Sequence, residues 1–139
     1  MSRLARAFRT TGRFLAAGAI VFLLAWAGMV LTRQDGSIAT LWMANAVLIA
    51  GLLRSPTEGW PVLVGGAFAG NLVANMLMGD PTGLAAALAV CNMLEALVVA
   101  TLFARIFAPG AAFRTLDQLG RLAVLALLGP LVSTPLAGW

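Results

Sequence analysis

Between Phe14 and Leu31 the chain runs for 18 residues without a charge, an amide or a proline. A helix of about 20 apolar residues crosses the roughly 30 Å hydrocarbon core of a bilayer, and a segment this long and this apolar has no comparable use in water. Four more apolar runs follow, at about 38–53, 60–78, 84–104 and 122–138, separated by short polar, glycine- or proline-bearing stretches. None alternates with period two, as barrel strands must. The expected fold class is therefore an all-α integral membrane protein, a polytopic helical bundle of about five transmembrane helices. Residues 1–13 form a basic N-terminus, and 14–139 the membrane bundle.

Composition excludes most other readings. Hydrophobic residues make up 61% of the 139 and charged residues 10%, where a soluble domain carries roughly 25% charged. The mean hydropathy is +0.96. There is no His, Lys or Tyr, which leaves little for acid–base catalysis, so no catalytic residue and no cofactor is assigned. Cys91 has no second cysteine with which to form a disulfide or a thiolate metal site, and no metal ligand set is assigned either. All nine basic residues are Arg, and they flank the apolar runs, which excludes a nucleic-acid partner and makes them signals of topology.

Short cytoplasmic loops collect Arg and Lys. Arg3, Arg6, Arg9 and Arg13 precede the first run; if that end is cytoplasmic, alternation puts Arg54, Arg105, Arg114 and Arg121 there too, leaving only Arg33 outside. The competing reading is a leader cleaved near Ala25-Trp26-Ala27. It is disfavoured because the first run exceeds the 7 to 15 residues usual for a signal core.

The loops agree with this division. Gly79-Asp80-Pro81-Thr82-Gly83 reads as a tight turn with Asp80 or Thr82 capping the fourth helix, making helices three and four an antiparallel hairpin. Ser55-Pro56-Thr57-Glu58 leads into helix three as a short turn, because Gly59 and Pro61 leave no room for an extra helix. Trp42, Trp60 and Trp139 lie near expected interfaces, and Pro130 and Pro135 kink or break the fifth run.

Polar residues inside the runs are the candidate site. Asn45 lies on helix two, Asn71 and Asn75 on one face of helix three, and Asn92 and Glu95 on one face of helix four. Hydrocarbon offers these groups no water, so they are expected to face one another. The plain alternative is structural glue, at roughly 0.6 to 2 kcal/mol per interhelical bond. Glu95 stands apart, since an ionisable group at the bilayer centre is a functional-site candidate by default. It is expected to donate a hydrogen bond, as a neutral acid, to Asn71 first or Asn45 second. The ligand or sensing candidates are thus Glu95, Asn92, Asn71, Asn75, Asn45 and Trp42. Gly66 and Gly70 form a GxxxG pair, read as helix packing between helices three and four.

In their order these motifs resemble the bacterial membrane-associated sensor domain of the first type, of the MASE family. The matching pieces are Trp42 with Asn45 and Ala46, Trp60-Pro61, Phe68-Ala69-Gly70-Asn71-Leu72 with Asn75, Asn92-Met93-Leu94-Glu95-Ala96, Arg105, and Pro130-Leu131-Val132-Ser133. The family has prolines after the Trp of its first motif, where this chain has Met43 and Ala44. The resemblance implies a non-catalytic input module in the bacterial inner membrane for a diguanylate cyclase or histidine kinase. Members carry roughly eight helices, so the chain corresponds to about the N-terminal half. Expected partners are the lipid bilayer, further helices with a cytoplasmic signalling domain, a second copy of the chain in a homo-oligomer, and a small ligand the sequence does not identify. The alternative is a small transporter or solute-binding membrane subunit, although no inverted repeat is found.

The arginine pattern generates a topology test. A reporter active only in the cytoplasm should work when fused after residue 56 or 110 and stay silent after residue 35 or 80; the reverse pattern would refute the orientation.

Overall fold

The computed structural model describes residues 3–32 and 43–106, and all regular structure among them is helical. The order is α1 (Arg3–Thr32), α2 (Met43–Leu53), a single 3₁₀ turn (Thr57–Gly59), α3 (Trp60–Leu77) and α4 (Thr82–Ile106). Three of them, α1, α3 and α4, are long and apolar enough to cross a membrane. At 1.5 Å per residue the 11 described residues of α2 span about 16 Å, half of a hydrocarbon core. The fifth run expected at 122–138, with Pro130 and Pro135, and Trp42 of the candidate site lie outside the described residues.

The first helix corrects one boundary. The basic segment 1–13 was expected to precede the helix, yet α1 is continuous from Arg3, so Arg6, Arg9 and Arg13 are helical residues. Arginine is among the better helix formers, and Arg6, Arg9 and Arg13 recur at a spacing that keeps them on one side of a helix. Charge ends the apolar run without ending the helix. The 30 residues of α1 reach about 45 Å, well beyond a bilayer core.

Neighbouring helices pack as a ring, α1 on α3, α3 on α4, α4 on α2 and α2 on α1. The closest approach is between α1 and α3, which run parallel: Phe14 lies beside Gly65 and Gly66, and Gly18 beside Gly66 and Gly70. A Cβ at Gly66 would overlap the Phe14 carbonyl, one at Gly70 the Gly18 carbonyl, and one at Gly18 would sit 3.0 Å from the Gly66 carbonyl oxygen. The two backbones therefore touch with no side chain between them. This corrects the expected partner of the Gly66 and Gly70 face, which is α1 and not α4. The reason is helical phase: residues 66, 70 and 74 form one stripe and 67, 71 and 75 the next, so only one of the two can meet each neighbour.

Turn chemistry closes the α3–α4 hairpin. Gly79 takes φ +90°, and the amides of Gly79 and Asp80 donate to the carbonyls of Met76 and Asn75, both at 3.1 Å. That is a Schellman end, which needs the left-handed conformation glycine accepts readily. At the opposite end the Trp60 indole Nε1 donates to the carbonyls of Leu52 (2.9 Å) and Ser55 (3.3 Å), satisfying carbonyls at the end of α2 from the first residue of α3. Arg13 reaches Gly59, placing the basic part of α1 beside the α2–α3 turn.

Large side chains are scarce inside. The largest fully buried ones are Met29, Leu52, Val99, Asn71 and Asn75, while Ala85, Ala89, Ala96 and Ala100 line the inner face of α4. Leu15, Leu23, Trp26 and Val30 of α1 point outward, as lipid-facing residues should.

Alanine substitution tests the α1–α3 contact. Gly66→Ala and Gly70→Ala force backbone apart and should each cost about 1–3 kcal/mol in thermal unfolding. Gly65→Ala, whose Cβ meets only the Phe14 ring at 3.4 Å, should change stability by less than about 0.5 kcal/mol. Equal effects at all three would reject the contact.

Candidate functional site

Each polar side chain reaches the interior because helical spacing aims it there. Asn71 and Asn75, 0% and 1% exposed, lie one turn apart on the α3 stripe facing α4. Asn92 and Glu95 are half-buried near the centre of α4, and Asn45, 4% exposed, lies in the first turn of α2. All five asparagine and glutamate candidates among the described residues come together in a single chain of hydrogen bonds joining three helices.

The bonds run in sequence. Asn75 Nδ2 donates to Asn71 Oδ1 at 2.8 Å and to the Asn71 backbone carbonyl at 2.9 Å. Asn92 Nδ2 donates to Asn71 Oδ1 at 3.4 Å. Asn45 Nδ2 donates to Asn92 Oδ1 at 3.4 Å and to Glu95 Oε2 at 3.2 Å. The two short bonds are local to α3; the three links between helices are longer and correspondingly weaker.

A carboxamide has a donor end and an acceptor end of nearly the same shape, so the network alone decides which way each one points. Here one atom decides for all of them. A backbone carbonyl can only accept, so the Asn75 nitrogen must face Asn71. Asn71 then has to turn its oxygen to Asn75, Asn92 its nitrogen to Asn71 and its oxygen to Asn45, and Asn45 its nitrogen to Asn92 and Glu95. Reversing any single amide sets like atoms against each other. Two atoms stay unpartnered as a result, Asn71 Nδ2 and Asn45 Oδ1, both buried.

Glu95 therefore differs from its expected role in two respects. Its partner is Asn45, the second choice, and at Oε2 it accepts where it was expected to donate. Asn71 reaches Glu95 only through Asn92 and Asn45. Trp60 and Gly18 were not singled out from sequence as structural contacts. Gly18 had a readable signal, since Ala17-Gly18 and Ala25 recur with small-residue spacing in α1; the indole bonds of Trp60 had none. Among the described residues no group of three or more His, Cys, Asp or Glu could hold a metal ion.

Apolar helices of spanning length around a buried polar chain define a multi-pass membrane protein whose interior, and not its surface, carries its distinctive chemistry. The sequence matches the MASE1 family over residues 13–138, most of the chain, and the protein belongs to that family of membrane-associated sensor domains. The match includes α1 from Arg13 onward, ahead of Trp42, the first of the motifs that carry the resemblance. No curated protein and no solved structure matches it.

The direction of the chain can be tested by replacing an amide nitrogen with oxygen at two equally buried sites. Asn75→Asp, as a neutral acid with a single O–H, loses at least one of the two short bonds and puts oxygen against oxygen there, whereas Asn71→Asp replaces only the unpartnered nitrogen. The burial cost of the new acid is shared, so Asn75→Asp should be less stable than Asn71→Asp by at least about 2 kcal/mol in reversible unfolding. The opposite ranking would reverse the assigned direction.

Proposed function

We propose that this chain is the input part of a bacterial inner-membrane signalling protein, and that the chain from Asn75 to Glu95 is the element its stimulus rearranges. The observation that carries this reading is the single bonded network that links α2, α3 and α4 and ends on an acid midway along α4. Packing alone does not call for a carboxyl group there, because amides supply interhelical bonds at lower desolvation cost. Weak 3.4 Å links between helices, set against firm bonds within α3, give an arrangement that a modest differential interaction can shift.

The N-terminus is assigned to the cytoplasm on the arginine count, and the placement of Arg13 beside the α2–α3 turn supports putting both at one membrane face. The output is assigned to a cytoplasmic cyclic-di-GMP synthase or histidine kinase, reached through further helices. The module itself performs no catalysis in this reading.

The test is made at the native locus. Glu95→Gln preserves size and an acceptor for Asn45, so the protein should still accumulate in the membrane while the cyclic-di-GMP pool, or phosphorylation of the cognate regulator, no longer follows the stimulus. Leu94→Ala, on the exposed face of α4, should leave the response intact. Identical behaviour of the two variants would refute the sensory role of Glu95.

A further inference from the structure

At its Glu95 end the amide chain runs out of donors. Asn45 commits its nitrogen to Glu95 and Asn92, which leaves its Oδ1 buried without a partner. Glu95 receives one bond, at Oε2, and the direction of the chain denies it Asn45 as an acceptor for a proton at that oxygen. Its side chain and that of Asn92 remain half-buried, so the described residues do not seal this end.

Nothing of opposite charge among the described residues stands at this depth. Neither α2 nor α3 contains a charged residue. The one basic residue of α4, Arg105, is ten positions further on, about 15 Å along the axis. The arginines of α1 end at Arg13, which lies at the level of the α2–α3 turn. The amide that donates to this carboxyl group thus carries a buried, unpaired oxygen of its own, in a medium where both groups are costly to leave unsatisfied. A cation is the species that satisfies acceptors of both kinds.

We propose that Glu95, together with Asn45 Oδ1 and the adjacent Asn92, forms an intramembrane site for a small monovalent cation, an alkali ion or ammonium. One carboxylate among neutral amides balances a single charge. Divalent calcium and magnesium sites rely on several hard oxygens and usually more than one acid, and transition metals favour clustered nitrogen and sulfur ligands, whereas no group of three or more His, Cys, Asp or Glu occurs among the described residues. This deepens the sensory reading, on which it rests for its purpose, by naming the class of ligand. Bound cation would hold α2 against α4 through Asn45 and Glu95, and its departure would loosen that joint.

The experiment uses the full chain in phosphatidylcholine nanodiscs at constant ionic strength, with N-methylglucamine chloride replaced stepwise by sodium, potassium or ammonium chloride. At least one small cation should raise Tm saturably, by about 3 °C or more, over the bulky cation. Glu95→Gln should abolish that rise, and Glu58→Gln, an exposed acid in the turn that precedes α3, should keep it. A wild-type Tm indifferent to the cation, or a rise that survives Glu95→Gln, overturns the site. Should Glu95→Gln not fold, Glu95→Asp decides: a shortened acid should move the midpoint to higher cation concentration, and an unchanged midpoint overturns the site. Failure here with a lost output response in Glu95→Gln cells rejects the cation alone. A cation-dependent Tm beside a normal output response rejects the sensory reading and leaves the site standing.

Discussion

Contact between two bare stretches of backbone, Gly18 of α1 against Gly66 and Gly70 of α3, sets the geometry of everything else. Lipid tails are as apolar as leucine, so burial of large apolar groups gives helices little reason to associate within a bilayer. Close approach is what remains: it multiplies dispersion contacts and fixes rotation as well as distance. Once the 66–70–74 stripe is committed to α1, the 67–71–75 stripe must turn away from it, and Asn71 and Asn75 arrive at α4 without further choice. A packing decision on one side of α3 thereby creates the polar chain on the other.

That coupling explains what could and could not be read from sequence. The residues of the polar chain were identifiable, because hydrocarbon leaves Asn45, Asn71, Asn75, Asn92 and Glu95 no solvent to face and helical spacing places each pair on one side. Their pairing was not. The choice between Asn71, ranked first, and Asn45 as the partner of Glu95 turns on the rotation of α3, and that rotation depends on Gly18, in a helix that carries no polar residue at this depth. A GxxxG pair announces a close neighbour without saying which one. The reach of α1 was obscured for a different reason: Arg6, Arg9 and Arg13 end an apolar run, and hydropathy responds to charge whereas the backbone responds to propensity. The α3–α4 hairpin was fully readable, since Gly79-Asp80-Pro81 specifies its turn locally.

The five-residue chain also shows how order can be imposed cheaply in a nonpolar interior. Four carboxamides have many combinations of orientation, and a bilayer supplies no water to arbitrate among them. One bond from Asn75 Nδ2 to a carbonyl of its own helix removes the ambiguity for all of them. The acid at the far end inherits a defined role from a residue twenty positions away that never touches it.

Alanine on the inner face of α4 has a final consequence, for how such a protein can vary. In a water-soluble core the damaging substitutions are chiefly truncations, because each lost methylene leaves a cavity. Here Ala85, Ala89, Ala96 and Ala100 are already near the lower limit of size, and Gly18, Gly66 and Gly70 have reached it. Such positions have almost nothing left to lose and very little they can accept. Drift in this bundle is therefore channelled outward, to lipid-facing positions such as Leu15, Leu23 and Leu94, where one apolar side chain serves as well as another. Homologous chains can diverge widely in overall identity while the small and polar positions inside stay nearly invariant, leaving short motifs as the recognisable remnant of a shared architecture.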